Sequence, residues 1–167
     1  ANPTEYVLPE TGLDLEQVDP WIQVTSLQHV TVSEAQARVT ANLQYQIENT
    51  GLKTLAVSLP TNAESVRFTG DQVADFLPRP GQARDGRQAW VVKLHRRVIG
   101  KFLLSVRYQW RTAENASQLT VGGVLAEGVN LQRGFVTGQS GGRLQVRVPT
   151  VPAALQPSEW QTVPRAL

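Results

Sequence analysis

Late in the chain, Gly138-Gln139-Ser140-Gly141-Gly142 carries the sharpest chemical pattern of the sequence, and it fits G-x-S-x-G. Such a pattern can do acyl-transfer chemistry. Glycines let the backbone turn tightly around an exposed hydroxyl, and backbone N–H groups then stabilise an oxyanion. A serine nucleophile also needs a base. The chain offers two histidines, His29 and His95, and His29 precedes the acids Asp71 and Asp85 and then Ser140.

That order, and the GQSGG pentapeptide, resemble the GDSGG signature of trypsin-like serine proteases. The resemblance would make Ser140 the nucleophile and His29 its base. Gln139 stands where the family has Asp, and His29 lies in LQHVTV without the family's Ala-x-His-Cys surroundings. A nucleophile elbow of the G-x-S-x-G type needs a strand-to-helix turn, whereas Leu144–Val148 reads as a strand. A glycine-rich hairpin loop accounts for the same residues. The expectation is a chain without catalysis, with the Ser140 hydrolase as the enzyme alternative.

Other chemistry is sparse. There is no cysteine, which removes disulfides, thiolate catalysis and Cys-ligated metals. Two histidines without His-x-His or His-x-x-x-His spacing give no metal motif, and no G-x-x-x-x-G-K cradles a phosphate. No cofactor or metal is expected. Glu10, Asp14, Glu16 and Asp19 lack calcium-loop spacing. Paired carboxylates for glycoside hydrolysis would meet only in space, and no segment points to them.

A second candidate is a basic stripe. Residues 90–110, WVVKLHRRVIGKFLLSVRYQW, alternate along their length. With Val98-Ile99-Gly100 as a three-residue hairpin loop, Leu94 would face Leu104, Val92 would face Val106 and Trp90 would face Tyr108. The even positions, Arg96 apart, then form an apolar face. Lys93, His95, Arg97, Lys101, Arg107 and Arg111 share the other, where they could bind phosphate groups of an anionic polymer. A solvated face guarded by charge explains them equally. Aromatics do not interleave with these bases, so nucleic acid is not the expected partner.

Four tryptophans form the third candidate. Trp90 and Trp110 fall on the apolar face. Trp21 and Trp160 are free to form a sugar-stacking platform, which gives a carbohydrate-binding alternative.

The elements that must position these residues are strands. The chain has 167 residues, 41% of them hydrophobic, enough for one domain with a core. Residues 1–20 hold five acids and no base, while the remainder carries nine acids against sixteen bases, a net +7. An extended acidic lead-in is expected over 1–20. Strands are expected over Trp21–Val32, Ala37–Glu48, Thr54–Leu59 and Ser65–Thr69. Asn49-Thr50-Gly51 reads as a turn and Pro78–Gly86 as a polar loop. The last clear strand is expected at Leu144, Val146 and Val148. Four prolines mark residues 149–167 as a tail or linker, with Trp160 packing back onto the body. Asn115-Ala116-Ser117 matches the glycosylation pattern. No apolar run approaches the roughly 20 residues of a spanning helix. About eight short strands without a long helix imply an all-β fold, an antiparallel β-sandwich of immunoglobulin- or fibronectin-like architecture over 21–148.

In pattern, LQYQIENTGLKTLAVSLP (43–60), the 90–110 ribbon and LQRGFVTG…LQVRV (131–148) resemble β-sandwich domains of large bacterial envelope proteins. The resemblance covers roughly 100 residues and carries no functional residue with it. It implies a non-catalytic structural or interaction module in an extracytoplasmic protein. The absence of Met, even at position 1, leads to the expectation of a mature or excised piece. The expected partner is another protein or an anionic or sugar polymer. The candidate ligand residues are Lys93, Arg97, Lys101, Arg107, Trp21 and Trp160.

Overall fold

The computed structural model describes residues 15–113, 116–147 and 156–167. The fold is all-β. Among these residues seven strands form one mixed sheet: β1 (Trp21–Val32), β2 (Gln36–Pro60), β3 (Glu64–Thr69), β4 (Val73–Arg84), β5 (Arg87–Arg111), β6 (Leu125–Glu127) and β7 (Leu131–Ser140). The order is β3-β5-β2-β1-β7, with β4 beside β5 and β6 beside β2. Every pairing is antiparallel except β1 with β7, which run parallel. No helix among the described residues is long and apolar enough to cross a membrane.

Two strands dominate. β2 and β5 each have 25 residues, about 80 Å if straight, against the usual five or six residues. They are not straight. Their register breaks between Ile47 and Leu52 and again before Thr54. Asn49 (φ 73) and Gly100 (φ 83) take left-handed backbone there. Each long strand is thereby divided into two limbs, and residues 36–47 pair with 100–111 while 52–60 pair with 87–98.

The limbs fold over one core. Arg87 and Tyr108 stand about 70 Å apart on a straight strand. Yet Arg87 Nη2 donates to Gly123 O (2.6 Å) and Tyr108 Oη donates to Gly122 O. Phe68, registered beside Val106 on one limb, packs 5.7 Å from Trp90 on the other. One bent sheet thus supplies both layers of a sandwich.

This corrects the expected hairpin. Val98-Ile99-Gly100 is not a loop, and Leu104 lies opposite Leu43, Val106 opposite Ala41 and Tyr108 opposite Val39. Asn49-Thr50-Gly51 likewise lies inside β2. A residue with positive φ serves a β-bulge as readily as a turn. The face assignment survives, because a bend keeps the alternation: Val92, Leu94, Phe102, Leu104, Val106, Tyr108 and Trp110 are buried, and Leu43, Tyr45 and Val57 meet them from β2.

Two further segments differ from expectation. Pro78 and Pro80 lie within β4, whose pairing with β5 lapses between Pro78 and Ala83. They are tolerated because β4 is an edge, and Asp85-Gly86, both with positive φ, close it onto β5. Among the described residues the last strand is β7, and residues 144–147 of the expected Leu144–Val148 strand form none. Leu144 and Val146 are exposed and irregular, and Val148 lies outside the described residues, as do Asn115 and residues 1–14. Glycine suits β7 because a Cβ at Gly134 would collide with Ser26 of β1. Trp160 is 69% exposed and does not pack back. The tail is held instead where Asn42 Nδ2 donates to Leu167 O at 3.0 Å.

The segment before β6 closes the open end of the sandwich. Buried Gln28 of β1 donates to Val124 O (2.9 Å) and accepts from Val124 N (2.8 Å). Arg87 also bonds Ser58 Oγ and Ser58 O. Burial lowers the pKa of Arg87, against the opposing fields of Tyr108 and Glu127. Burial pushes the Tyr108 hydroxyl up to about 12 and raises that of Tyr45 still further.

Two predictions follow from this closure. Gln28→Ala strands a buried N–H and a buried C=O, and urea unfolding should show a loss of about 2–3 kcal/mol. The tyrosines stay protonated when folded at pH values where unfolded tyrosine ionises. Their contribution is therefore intact below the unfolded value, near 10, and lost as pH rises toward 12. Chemical denaturation across that window should show falling stability, with a shallower fall in Tyr108→Phe.

Candidate functional site

The parallel β1–β7 register sets where Ser140 and His29 stand. Ser140 lies opposite Val32, and His29 lies opposite Thr137. Cross-strand partners share a face and neighbours along a strand alternate. Three positions separate His29 from Val32, so Ser140 and His29 point to opposite faces, about 10 Å apart along the strand. His29 Nδ1 is hydrogen-bonded to Thr137 Oγ1 at 2.7 Å. Its other cross-strand neighbour is Thr40. Asp85 sits in the β4–β5 turn and Asp71 in the β3–β4 turn, neither on β1 nor on β7.

The glycines around Ser140 have a structural use. Gly138 belongs to β7, Gly141 N donates to Val32 O at 2.7 Å, and Gly142 (φ 70) turns the chain away. The pentapeptide is a strand exit rather than the expected hairpin loop. A fluorophosphonate probe should therefore label the wild-type chain no more than Ser140→Ala, read by fluorescence after electrophoresis; labelling lost in the variant would contradict this geometry.

The basic stripe is all exposed, but the bend divides it. Lys93, His95 and Arg97 lie on one limb of β5, and Lys101, Arg107 and Arg111 on the other. At the bend, Arg97 Nη1 donates to Gly51 O (3.1 Å) and Lys53 Nζ donates to His95 O (2.6 Å). These cations satisfy backbone carbonyls of the irregular strands. Beside them lies an open depression of about 410 Å³, where Arg96, Arg97 and Lys101 stand with Asp71.

The second limb assembles a different cluster. Arg107 lies opposite Arg67 of β3 on one side and Thr40 of β2 on the other. One row of the outer face therefore reads Arg67, Arg107, Thr40, His29 and Thr137 across five strands. The next row places Gln109 between Glu64 and Arg38, and Arg111 follows opposite Gln36. Diagonal neighbours on a sheet face lie about 7–8 Å apart, so Arg38, Arg67, Arg107 and Arg111 form one patch. Its carboxylate, Glu64, stands 4.0 Å from Arg111 in an exposed pair. Such pairs are worth about 0–1 kcal/mol. Among the described residues, Arg38, Arg67 and Arg107 make no side-chain hydrogen bond or ion pair.

Arg38 and Arg67 are not among the candidate ligand residues named from the sequence. Arg38 stood in a clean alternation and was legible as outward-facing, but the register joining it to Arg67 and Arg107 was not. Among the tryptophans, Trp21 is 46% exposed at the start of β1 and Trp160 is exposed in a short 3-10 turn, Trp160–Thr162. Trp90 belongs to an aromatic cluster with Phe68 and Phe76, and Trp110 stacks on Tyr108 at 5.8 Å. Among the described residues no three His, Asp or Glu side chains gather in a way that could hold a metal ion.

No family model matches the chain, and no curated protein matches it. Among solved structures, it is similar in part to the M1 zinc metallopeptidase from Deinococcus radiodurans. The identity is 18% and the TM-score 0.39, over 57% of this chain and 21% of that one. A point mutant of that enzyme gives 17% and 0.38, over 55% and 20%. The mutant bound to a Tyr-Ser-Ala substrate gives 16% and 0.38, over 61% and 23%. The chain thus spans about a fifth of the length of the metallopeptidases it matches.

Proposed function

We propose that this chain is a non-catalytic interaction module of an extracytoplasmic bacterial protein, of the kind found in large envelope proteins, and that it binds an anionic partner through the outer face of β3, β5 and β2. One observation carries the reading: Arg67 and Arg107 lie directly opposite each other, with Arg38 and Arg111 on the same face. Like charges placed opposite in a sheet destabilise it. A folded protein tolerates that arrangement at little cost in water, and an anionic polymer turns it into a favourable one by releasing its counterions. Arginine suits the task because its planar fork binds phosphate or carboxylate with two hydrogen bonds.

The partner class this supports is an anionic envelope polymer or an acidic protein surface. The test is titration of the intact chain with long-chain polyphosphate at rising salt. Affinity should fall steeply as salt increases. The double substitution Arg67→Gln, Arg107→Gln should weaken binding about tenfold or more and reduce the salt slope by about two. Lys93→Gln, on the other limb, should leave both nearly unchanged. A double variant that binds like the wild type removes this reading. Salt-independent binding of a neutral glycan, reported by tryptophan fluorescence, would favour Trp21 and Trp160 instead.

A further inference from the structure

Among the described residues the sheet ends on one side at β7, and that edge is built unlike the others. β3 has six residues, β6 has three, and β4 carries Pro78 and Pro80. Short strands and prolines are ordinary protections against strand addition. β7 runs for ten residues, LQRGFVTGQS, without proline, lysine or an acid, and Arg133 is its one charge. One side of it is held by ten consecutive parallel pairs to β1. Among the described residues, no backbone hydrogen bond leaves its other side. Leu131 and Val136 are 51% and 55% exposed.

We propose that the free edge of β7 is a strand-addition site for β7 of a second copy, in antiparallel register about a two-fold axis. Such an interface presents the same strand from both sides, so its sequence must tolerate itself. This one does. With Phe135 on the axis, Arg133 meets Thr137, Leu131 meets Gln139, Gly134 meets Val136 and Gln132 meets Gly138. No charge faces a like charge, and each glycine lies opposite a side chain. With Val136 on the axis, Arg133 meets Gln139. Arg133 meets itself only in the register centred on it, which leaves just residues 131–135 paired. The free backbone groups supply the attraction, and Leu131, Phe135 and Val136 add apolar contact. The sheet would then continue through the axis into the second copy.

The test is sedimentation velocity on the intact chain over a range of concentrations, with no polyanion present, so its outcome is independent of the anion-binding reading. The wild type should self-associate. Val136→Lys places a charge on an exposed edge position and should raise the dimer dissociation constant about tenfold or more. Circular dichroism will show whether that variant remains folded. The chain has no cysteine, so single-cysteine variants report without background. Oxidised Phe135→Cys or Val136→Cys should give a covalent dimer, and Leu125→Cys, exposed on β6, should not. A wild type that stays monomeric at every concentration overturns the proposal. A dimer unaffected by Val136→Lys, or cross-linked as readily through Leu125→Cys, overturns it equally.

Discussion

The structure depends on a shared bend in its two longest strands. A straight 25-residue strand with one apolar side would need a second sheet to cover it. Here the register slips between Ile47 and Thr54, and Asn49 and Gly100 take positive φ where it does. The two limbs of β2 and β5 can then bury each other. The apolar faces keep their alternation through the bend, so Leu43 with Leu104 and Val57 with Trp90 serve a single core. Burial of that common face is the main favourable term, and the local irregularity is what allows it.

Folding a sheet over itself leaves an open end, and three long polar side chains close it. Gln28, Arg87 and Tyr108 all bond backbone of residues 122–124. Glycine is needed there because the approach is close: a Cβ at Gly122 would collide with Pro60, and one at Gly123 with Gln28. Buried polar groups survive in this seam because each meets a backbone partner. Tyr45 differs, with a hydroxyl that is buried and unpartnered among the described residues, and its raised pKa reflects that burial.

The same bend shapes the outer surface. It carries Lys93 and His95 onto one limb and Arg107 and Arg111 onto the other, so a stripe continuous in sequence is divided in space. β3 then adds Arg67 beside Arg107, and β2 adds Arg38. The arginine patch and the core are opposite faces of the same ladder. Substitutions among the outward arginines therefore leave the buried face untouched.

The sequence by itself determined which residues face in and which face out. The period-two alternation of residues 37–47 and 90–110 was enough, because adjacent side chains on a strand must point to opposite sides. The all-β class was equally legible from short alternating runs without helical periodicity. Tertiary structure alone decided what those faces meet. Positive-φ residues such as Asn49 and Gly100 signal a turn and a bulge alike, so the bend was indistinguishable from two hairpins. The parallel docking of β7 on β1 joins residues more than a hundred positions apart, and no local pattern encodes it. That docking sets His29 beside Thr137 and away from Ser140. The β3 register likewise gathers Arg67, Arg107 and Arg38, since pairing between distant strands is chosen by packing of the whole core rather than by any one segment.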